Sequence, residues 1–470
     1  MIYLLALISF VIIAVSIFRR WQFGVYLIFT WLLLEDIIRR LIPGQPVEVM
    51  LVKDVLIALT YFSFLIFLLF KNKKIWKPAF WGALSLLVAV STINVFNDNS
   101  PGLLFGLIGL RSYLWYLPLM VLGYYMFGSQ EKLLKFCQVL VYLSIPLFLF
   151  AVFQYFFYDS GWALVRSLTD ATQAHSFGAN FGRFEGGDIP LLPSVFGTSH
   201  RYSRFSMLLF FLGLGLLMTK YPVNSRLKKN NKLLLASIFS SFLGIIISGV
   251  RSAFVLTSAG SVLFFLFAVY IRNAKIRYLW ENSRVWFFSL ITIILLASLA
   301  IFLFGYTVFF QLSSFSATLN ERITWASEEF YTALANARFF GWGTGSLSQG
   351  LTYLPGGVEW LGRGLVRSET GFGKIVFEMG IFGMIIFYLF WKYLFYLMTR
   401  EIKFLKNYNL RNLGLGIFIF SFLILFWFTF VHSQVLGDAT TLVILWFSLG
   451  VFFGLKRSNR EYTNSRQIYE

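Results

Sequence analysis

RFFGWGTGSLSQGLTYLPGGVEWLGRGLVRSETGFGKIVFEMGIFG, from Arg338 to Gly383, lies between two long apolar runs in a chain that otherwise reads as nearly all membrane. Its glycines, tryptophans and charges therefore answer to something other than spanning. Gly341, Gly343 and Gly345 let the backbone turn tightly and approach a ligand. Arg363, Arg367 and Lys374 bring positive charge to the apolar boundary, with Glu369 among them. Ser368 is placed to cap a helix starting at Glu369. Gly373, Val376, Gly380 and Gly383 recur at three- and four-residue steps, the small-residue face that lets membrane helices touch.

Outward from this stretch the composition sets the class. With 58% hydrophobic residues, 20% aromatics and a mean hydropathy of +0.73 over 470 residues, the chain is expected to be an all-α polytopic membrane protein with one integral membrane domain, 1–470. A spanning helix needs about 20 mostly apolar residues. Runs of that kind lie near 2–18, 22–40, 48–70, 79–96, 103–127, 133–157, 202–219, 233–250, 253–271, 286–310, 373–398, 413–431 and 438–455, so 12–13 spans are expected. The first ends in Arg19-Arg20 with no basic residue ahead of it, which reads as an inverted first span retained in the mature protein.

The net charge of +19 is sorted by side, which argues against nucleic acid as its cause. Lys71, Lys73, Lys74, Lys77, the 220–232 group, Arg272 to Arg284, Arg400 to Arg411 and the tail after Lys456 all fall on one side of the alternating spans. The positive-inside rule then gives an N-out, C-in orientation with two long extracytoplasmic loops, 158–200 and 311–372. In the second loop Leu319, Ile323, Ala326, Phe330 and Ala333 form one face of an amphipathic helix expected to lie on the membrane, with Arg322, Glu328 and Glu329 off that face.

Several charges break the apolar pattern on the outer side. Arg39 and Arg40 end the second span against the rule, either as a salt-bridged helix end or as part of an anion site; Lys53 and Asp54 open the third span in the same region. Arg111 sits eight residues into the fifth span, marking a functional cavity or an intramembrane ion pair unless it snorkels to the surface. His200, Arg201 and Arg204 stand at the start of the seventh span. In IIISGVRSAFVL two apolar runs turn at Ser248-Gly249 with almost no loop, leaving Arg251 to hold a ligand or to bond the carbonyls at the end of the eighth span. His432 reads as a capping or interfacial residue.

Metal-ligand spacing, a Walker sequence and a dinucleotide fingerprint are all absent from the sequence, and the single Cys137 excludes an internal disulfide. What remains is a set of outward-facing arginines: Arg111, Arg183, Arg201, Arg204, Arg251, Arg322, Arg338, Arg363 and Arg367. Arginine's planar fork suits phosphate and resists deprotonation. A lipid diphosphate carrying a sugar fits such a site, its anionic group at the interface and its tail among aromatic walls. Sugar transfer then requires neutralising the departing diphosphate and deprotonating an acceptor hydroxyl. A lipid-linked oligosaccharide flippase also needs a cationic cavity, although a transporter more often shows repeated halves with matching broken helices. A noncatalytic partner in polysaccharide export would account for the interfacial aromatics, but not for Arg111 and Arg251.

SGVRSAF at a tight hairpin, FFGWGTGS in a long loop, and ETGFGKIVFEMGIFG opening a helix together resemble the bacterial O-antigen ligase and O-antigen polymerase superfamily, best over about 230–400. EDIIRRLIPGQP and GLRSYLWYLP resemble its polymerase-like branch. The resemblance implies a class C glycosyltransferase-like (GT-C) fold in the bacterial cytoplasmic membrane and no metal or other cofactor. It also implies a polyprenyl-diphosphate-linked glycan donor, a glycan acceptor and other polysaccharide-assembly proteins as partners. In the ligases the helix after the long loop begins with His-Asn or His-Ser; here Ser368-Glu369 stands there, which favours a polymerase over a ligase. By this resemblance Arg251 would hold diphosphate and Glu369 would be the catalytic residue near the acceptor hydroxyl. A helix N-terminus and nearby Arg367 would weaken that carboxylate as a base, so orienting a sugar or pairing with arginine stays open for Glu369.

Single cysteines in a Cys137→Ser background test the topology. Labelling should find positions 230, 278 and 407 cytoplasmic and 180 and 355 external; labelling of 355 from the cytoplasm would overturn the orientation.

Overall fold

The computed structural model describes residues 2–42, 48–72, 75–157, 192–219, 231–272, 315–337, 339–348, 355–362, 370–405 and 407–467. Among them the regular structure is helical throughout: α1 (Ile2–Arg19), α2 (Trp21–Leu41), α3 (Glu48–Phe70), α4 (Trp81–Ile93), α5 (Leu103–Leu110), α6 (Leu119–Met126), α7 (Gln130–Tyr142), α8 (Ser144–Phe157), α9 (Ser199–Leu217), α10 (Asn231–Ile247), α11 (Arg251–Arg272), α12 (Phe315–Asn336), α13 (Gly357–Gly362), α14 (Gly371–Phe404), α15 (Tyr408–Phe430) and α16 (Ala439–Gln467). Eight helical stretches are long and apolar enough to cross a membrane, and three shorter apolar helices accompany them. This is the make-up of a polytopic membrane protein. Each expected span coincides with helix except the one near 286–310, which lies outside the described residues, as does most of the loop 158–200.

The bundle is built around α9. Nearly every residue from Tyr202 to Leu216 is buried, as expected of a helix apolar on all sides. Gly416 of α15 sits against the Phe211 carbonyl, and Gly215 of α9 against that of Asn412, so the two backbones approach with no side chain between them. Gly244 of α10 packs on Tyr202 and Ser206, while Gly213 of α9 meets Ile238. Hence α10 runs antiparallel to α9, and Arg251, which opens α11 just after the Ser248-Gly249 turn, lies at the same end of the bundle as Arg201.

The sixth expected span divides into α7 and α8 at Leu143, and the fifth and eleventh are interrupted too. The fifth is α5, a π-helical turn over Arg111–Trp115, and then α6 after Pro118. The eleventh, α14, is broken at Gly380, whose φ of 69° and ψ of −175° are not helical. On a straight helix Phe372 and Tyr388 would stand about 24 Å apart, yet their rings are 5.4 Å apart. The chain therefore doubles back at Gly380. The first arm, 371–379, is not part of the span expected at 373–398; the second, 381–404, is long enough to span alone. Gly380 is thus the break itself and not a position on a small-residue packing face. The first arm begins at Gly371 with Thr370 as its cap, the hydroxyl accepting from Gly373 N–H at 3.2 Å, so the cap is Thr370 and not Ser368.

A break inside an apolar bundle leaves carbonyls that need donors. The glycine-rich loop supplies them: Trp342 N–H bonds the Phe377 carbonyl at 2.8 Å and Gly343 N–H that of Glu378 at 3.1 Å. On its other side Thr344 donates to the carbonyls of Asn94 (3.2 Å, N–H) and Ser91 (2.8 Å, hydroxyl), and Asn97 donates to Gly341 at 3.1 Å. Gly341, Gly343 and Gly345 all have positive φ. The close approach they allow is to protein backbone, at Gly380, Asn94 and Gly109. The loop is a plug seated between α4, α5 and the α14 break. The helix expected over 319–335 is present as α12, and its Phe330 packs on Phe372 of the first arm of α14 at 4.7 Å.

Glycine substitutions separate backbone strain from seating. Gly356 (φ 74°) has open space around it, so Gly356→Ala should cost only the ~1–2 kcal/mol of a left-handed residue. Gly345→Ala adds a collision with the Phe105 carbonyl and Gly109, and should lower the thermal unfolding midpoint in detergent by clearly more. Equal shifts would mean that the plug is not seated there.

Candidate functional site

A charge inside an apolar bundle is tolerable only when paired. At the end where α2 stops and α3, α9, α11 and α16 start, the chain gathers many of them. Arg201 on the first turn of α9 bridges two carboxylates, donating to Asp36 of α2 at 3.0 Å and to Asp438 before α16 at 2.7 Å. Asp36 also accepts from Gly197 N–H at 2.6 Å, and a side chain at Gly197 would run into that carboxylate. Asp438 accepts from the Thr441 N–H and hydroxyl, capping α16, and lies 3.4 Å from Arg204. Arg201, Arg204 and Thr441 thus surround one buried carboxylate with donors. Three helices are thereby tied together through one guanidinium.

A second group continues from the first. Lys53 and Glu35, both buried, pair at 2.7 Å. One residue on, Asp54 takes Arg111 Nη2 at 2.5 Å and the Tyr116 hydroxyl at 2.9 Å, and Arg111 also donates to that hydroxyl at 3.1 Å. The π turn carries Arg111 to this partner while keeping its side chain 41% exposed. On the same turn Tyr113 donates to Glu378 at 2.6 Å. Glu378 is wholly buried; its other oxygen accepts from Leu347 N–H of the plug at 3.0 Å, with Lys374 at 4.0 Å.

The two histidines that stand far apart in the chain meet here. The rings of His200 and His432 are 5.2 Å apart, with Trp427 beside His200 at 6.4 Å and under the Arg204 guanidinium at 5.3 Å. His432 accepts from Gln434 N–H at 3.3 Å, the capping role expected of it, and still presents its ring to His200. The start of α14 reaches the same place: Gly371 lies against the Phe428 carbonyl, four residues before His432, and Thr370 N–H bonds Glu329 at 2.8 Å.

Of the expected site residues, the structure thus brings Arg111, Arg201, Arg204 and Arg251 to one end of the bundle. They are not equivalent. Arg204 is 2% exposed and held by Asp438 and Thr441, so it supports Arg201 and could touch a ligand only by leaving those partners. Arg111, Arg201 and Arg251 keep exposed surface. At the end of α2, Arg39 lies 3.9 Å from Asp36 as a salt-bridged helix end would have it, while Arg40 bonds the Gly197 carbonyl at 3.0 Å. Glu369, Arg338, Arg363 and Arg367 lie outside the described residues. Glu378 escaped the sequence reading, although it stands as deep in an apolar run as Arg111 does and the same criterion marks it. No group of three or more metal-ligating side chains occurs among the described residues. No protein-family model matches the chain, and no curated protein matches it either.

Asp438→Asn should destabilise the protein by about 3–5 kcal/mol, because it leaves Arg204 buried without its carboxylate. Thr441→Val, which removes one hydroxyl from that carboxylate, should cost about 1 kcal/mol. Denaturant unfolding in mixed micelles measures both; similar costs would place the stabilisation in the cap and not in the ion pairs.

Proposed function

We propose that the chain is a polysaccharide polymerase-like glycosyltransferase. It joins undecaprenyl-diphosphate-linked oligosaccharide units at the outer face of a bacterial cytoplasmic membrane, with N-out, C-in topology and a GT-C-like architecture. The observation that carries the reading is the gathering of Arg111, Arg201, Arg251 and the His200/His432 pair at one end of an apolar bundle, beside the start of α14. A lipid diphosphate needs that combination: guanidinium groups for its phosphates and apolar helix faces for its tail.

In the reaction the acceptor hydroxyl oxygen attacks the anomeric carbon. The bond from that carbon to the diphosphate oxygen breaks, the oxygen keeps the bonding pair, and the hydroxyl proton passes to a base. Arg251, Arg201 and Arg111 would neutralise the leaving diphosphate, with Arg338, Arg363 and Arg367 as further donors from the adjoining loop. Glu369 is the proposed base. It directly precedes Thr370, whose helix start abuts the turn holding His432, so His200 and His432 are the groups next in reach of the same hydroxyl. Asp36 and Asp438 hold Arg201 by two bonds, so its charge is oriented before substrate arrives, the preorganisation that electrostatic catalysis uses.

The test is polymer formation from purified lipid-linked repeat units at saturating donor, with donor binding assayed separately. Arg251→Lys keeps charge but loses the fork and should abolish most activity while the protein still inserts; a fully active lysine variant would remove Arg251 as a diphosphate clamp. Glu369→Gln should lower turnover by roughly 10²–10⁴-fold with donor binding intact, and near-normal turnover would shift the base role to the histidine pair. In a deletion strain, single repeat units should accumulate outside the membrane. Finished polymer on lipid would mean a ligase instead, and units trapped inside a flippase.

A further inference from the structure

At the opposite end of the bundle from the polar site, α2 and α7 diverge around a cavity of about 1030 Å³. Its mouth carries Arg20, Lys132, Lys135 and Arg457, and among the described residues no carboxylate lines it. Arg457 lies over the Tyr125 ring at 5.3 Å, so its guanidinium is held at the rim. The walls below are apolar: Phe29 and Phe136, 5.8 Å apart, then Val139, Leu140 and Leu143. Phe136 of α7 packs on both Tyr26 and Phe29 of α2 and joins the two walls. From Trp21 to Leu33 the slot is about 18 Å long, and from Lys132 to Leu143 about 16 Å. Its cations lie at one end, and the rest of its length is mainly aromatic and aliphatic, with the Thr30 hydroxyl turned back to the Tyr26 carbonyl.

A free anion would have no use for the apolar part, and a neutral hydrocarbon none for the cations. The segment 220–230 carries Lys220, Arg226, Lys228 and Lys229, charge of the same sign as the mouth. Basic pockets between membrane helices, where side chains meet headgroups, are suited to lipid phosphates. We propose that this slot binds an anionic membrane phospholipid, its phosphate among Arg20, Lys132, Lys135 and Arg457 and one acyl chain along Phe29, Phe136 and Leu143. The site is separate from the proposed catalytic end and does not depend on what reaction occurs there.

Lys132 and Lys135 are exposed on α7, so neutralising them leaves the packed faces untouched. The experiment uses delipidated full-length protein in detergent, titrated with phosphatidylglycerol and, separately, phosphatidylcholine, with bound lipids counted by native mass spectrometry. One phosphatidylglycerol should bind preferentially, and Lys132→Gln/Lys135→Gln should weaken it by about 30-fold, the factor expected for two cations near a headgroup. The control Lys71→Gln/Lys77→Gln removes the same charge outside the slot and should leave binding unchanged. Equal binding of the two lipids, or equal loss in the control, would overturn the proposal. Displacement of the lipid by glycerol 1-phosphate at similar concentration would overturn it too, since the site would then be one for a soluble anion.

Discussion

Backbone carbonyls inside an apolar bundle must find donors, and the α14 break at Gly380 turns that requirement into architecture. The Phe377 and Glu378 carbonyls are met by Trp342 and Gly343 N–H, and the loop that provides them is fixed on its far side by Asn94, Asn97 and Gly109. Because the first arm of α14 is held this way, its start can rest against Phe428 and bring Thr370 beside the His432 turn. The glycines that looked like a ligand cradle are what lets the loop reach the helix at all. The close approach that these glycines allow is taken up by protein backbone.

The same logic governs the charges. Asp36, Arg201 and Asp438 join α2, α9 and α16 in one line of ion pairs, and Asp54 with Arg111 extends the polar region towards the π turn. Removing one member leaves a buried charge behind, which costs more than the pair contributes. The network therefore constrains where helices end. It also keeps Arg201 and Arg111 at partial exposure, charged and held in place, as an anion site requires.

Apolar length made the spans legible, and the three- and four-residue spacing of Leu319 to Ala333 made α12 legible. Direction was not: Gly380 and Arg111 both stand within long, mainly apolar runs, and hydropathy measures length without registering a reversal or a π turn. Short-range pairs such as Asp36 with Arg39 follow from helical spacing, whereas Arg201 and Asp438 are 237 residues apart and nothing in the local sequence joins them. For the same reason His200 and His432 read as isolated residues, yet their rings are neighbours. Glu369, the residue on which the sequence placed most chemistry, lies just ahead of the described helix start, while Glu378 nine positions on is the carboxylate tied into the fold.

These long separations order events in time. The Ser91 carbonyl receives its donor from Thr344, 253 positions later; at about 5–20 residues per second, synthesis leaves that gap open for roughly 10–50 s. Arg201 emerges with Asp36 already present but waits as long again for Asp438. Until Asp438 emerges, Arg201 and Arg204 stand without the carboxylate that they share in the folded bundle. α16 is thus a clock as well as a strut: its arrival brings the Asp438 carboxylate that pairs Arg201 and Arg204.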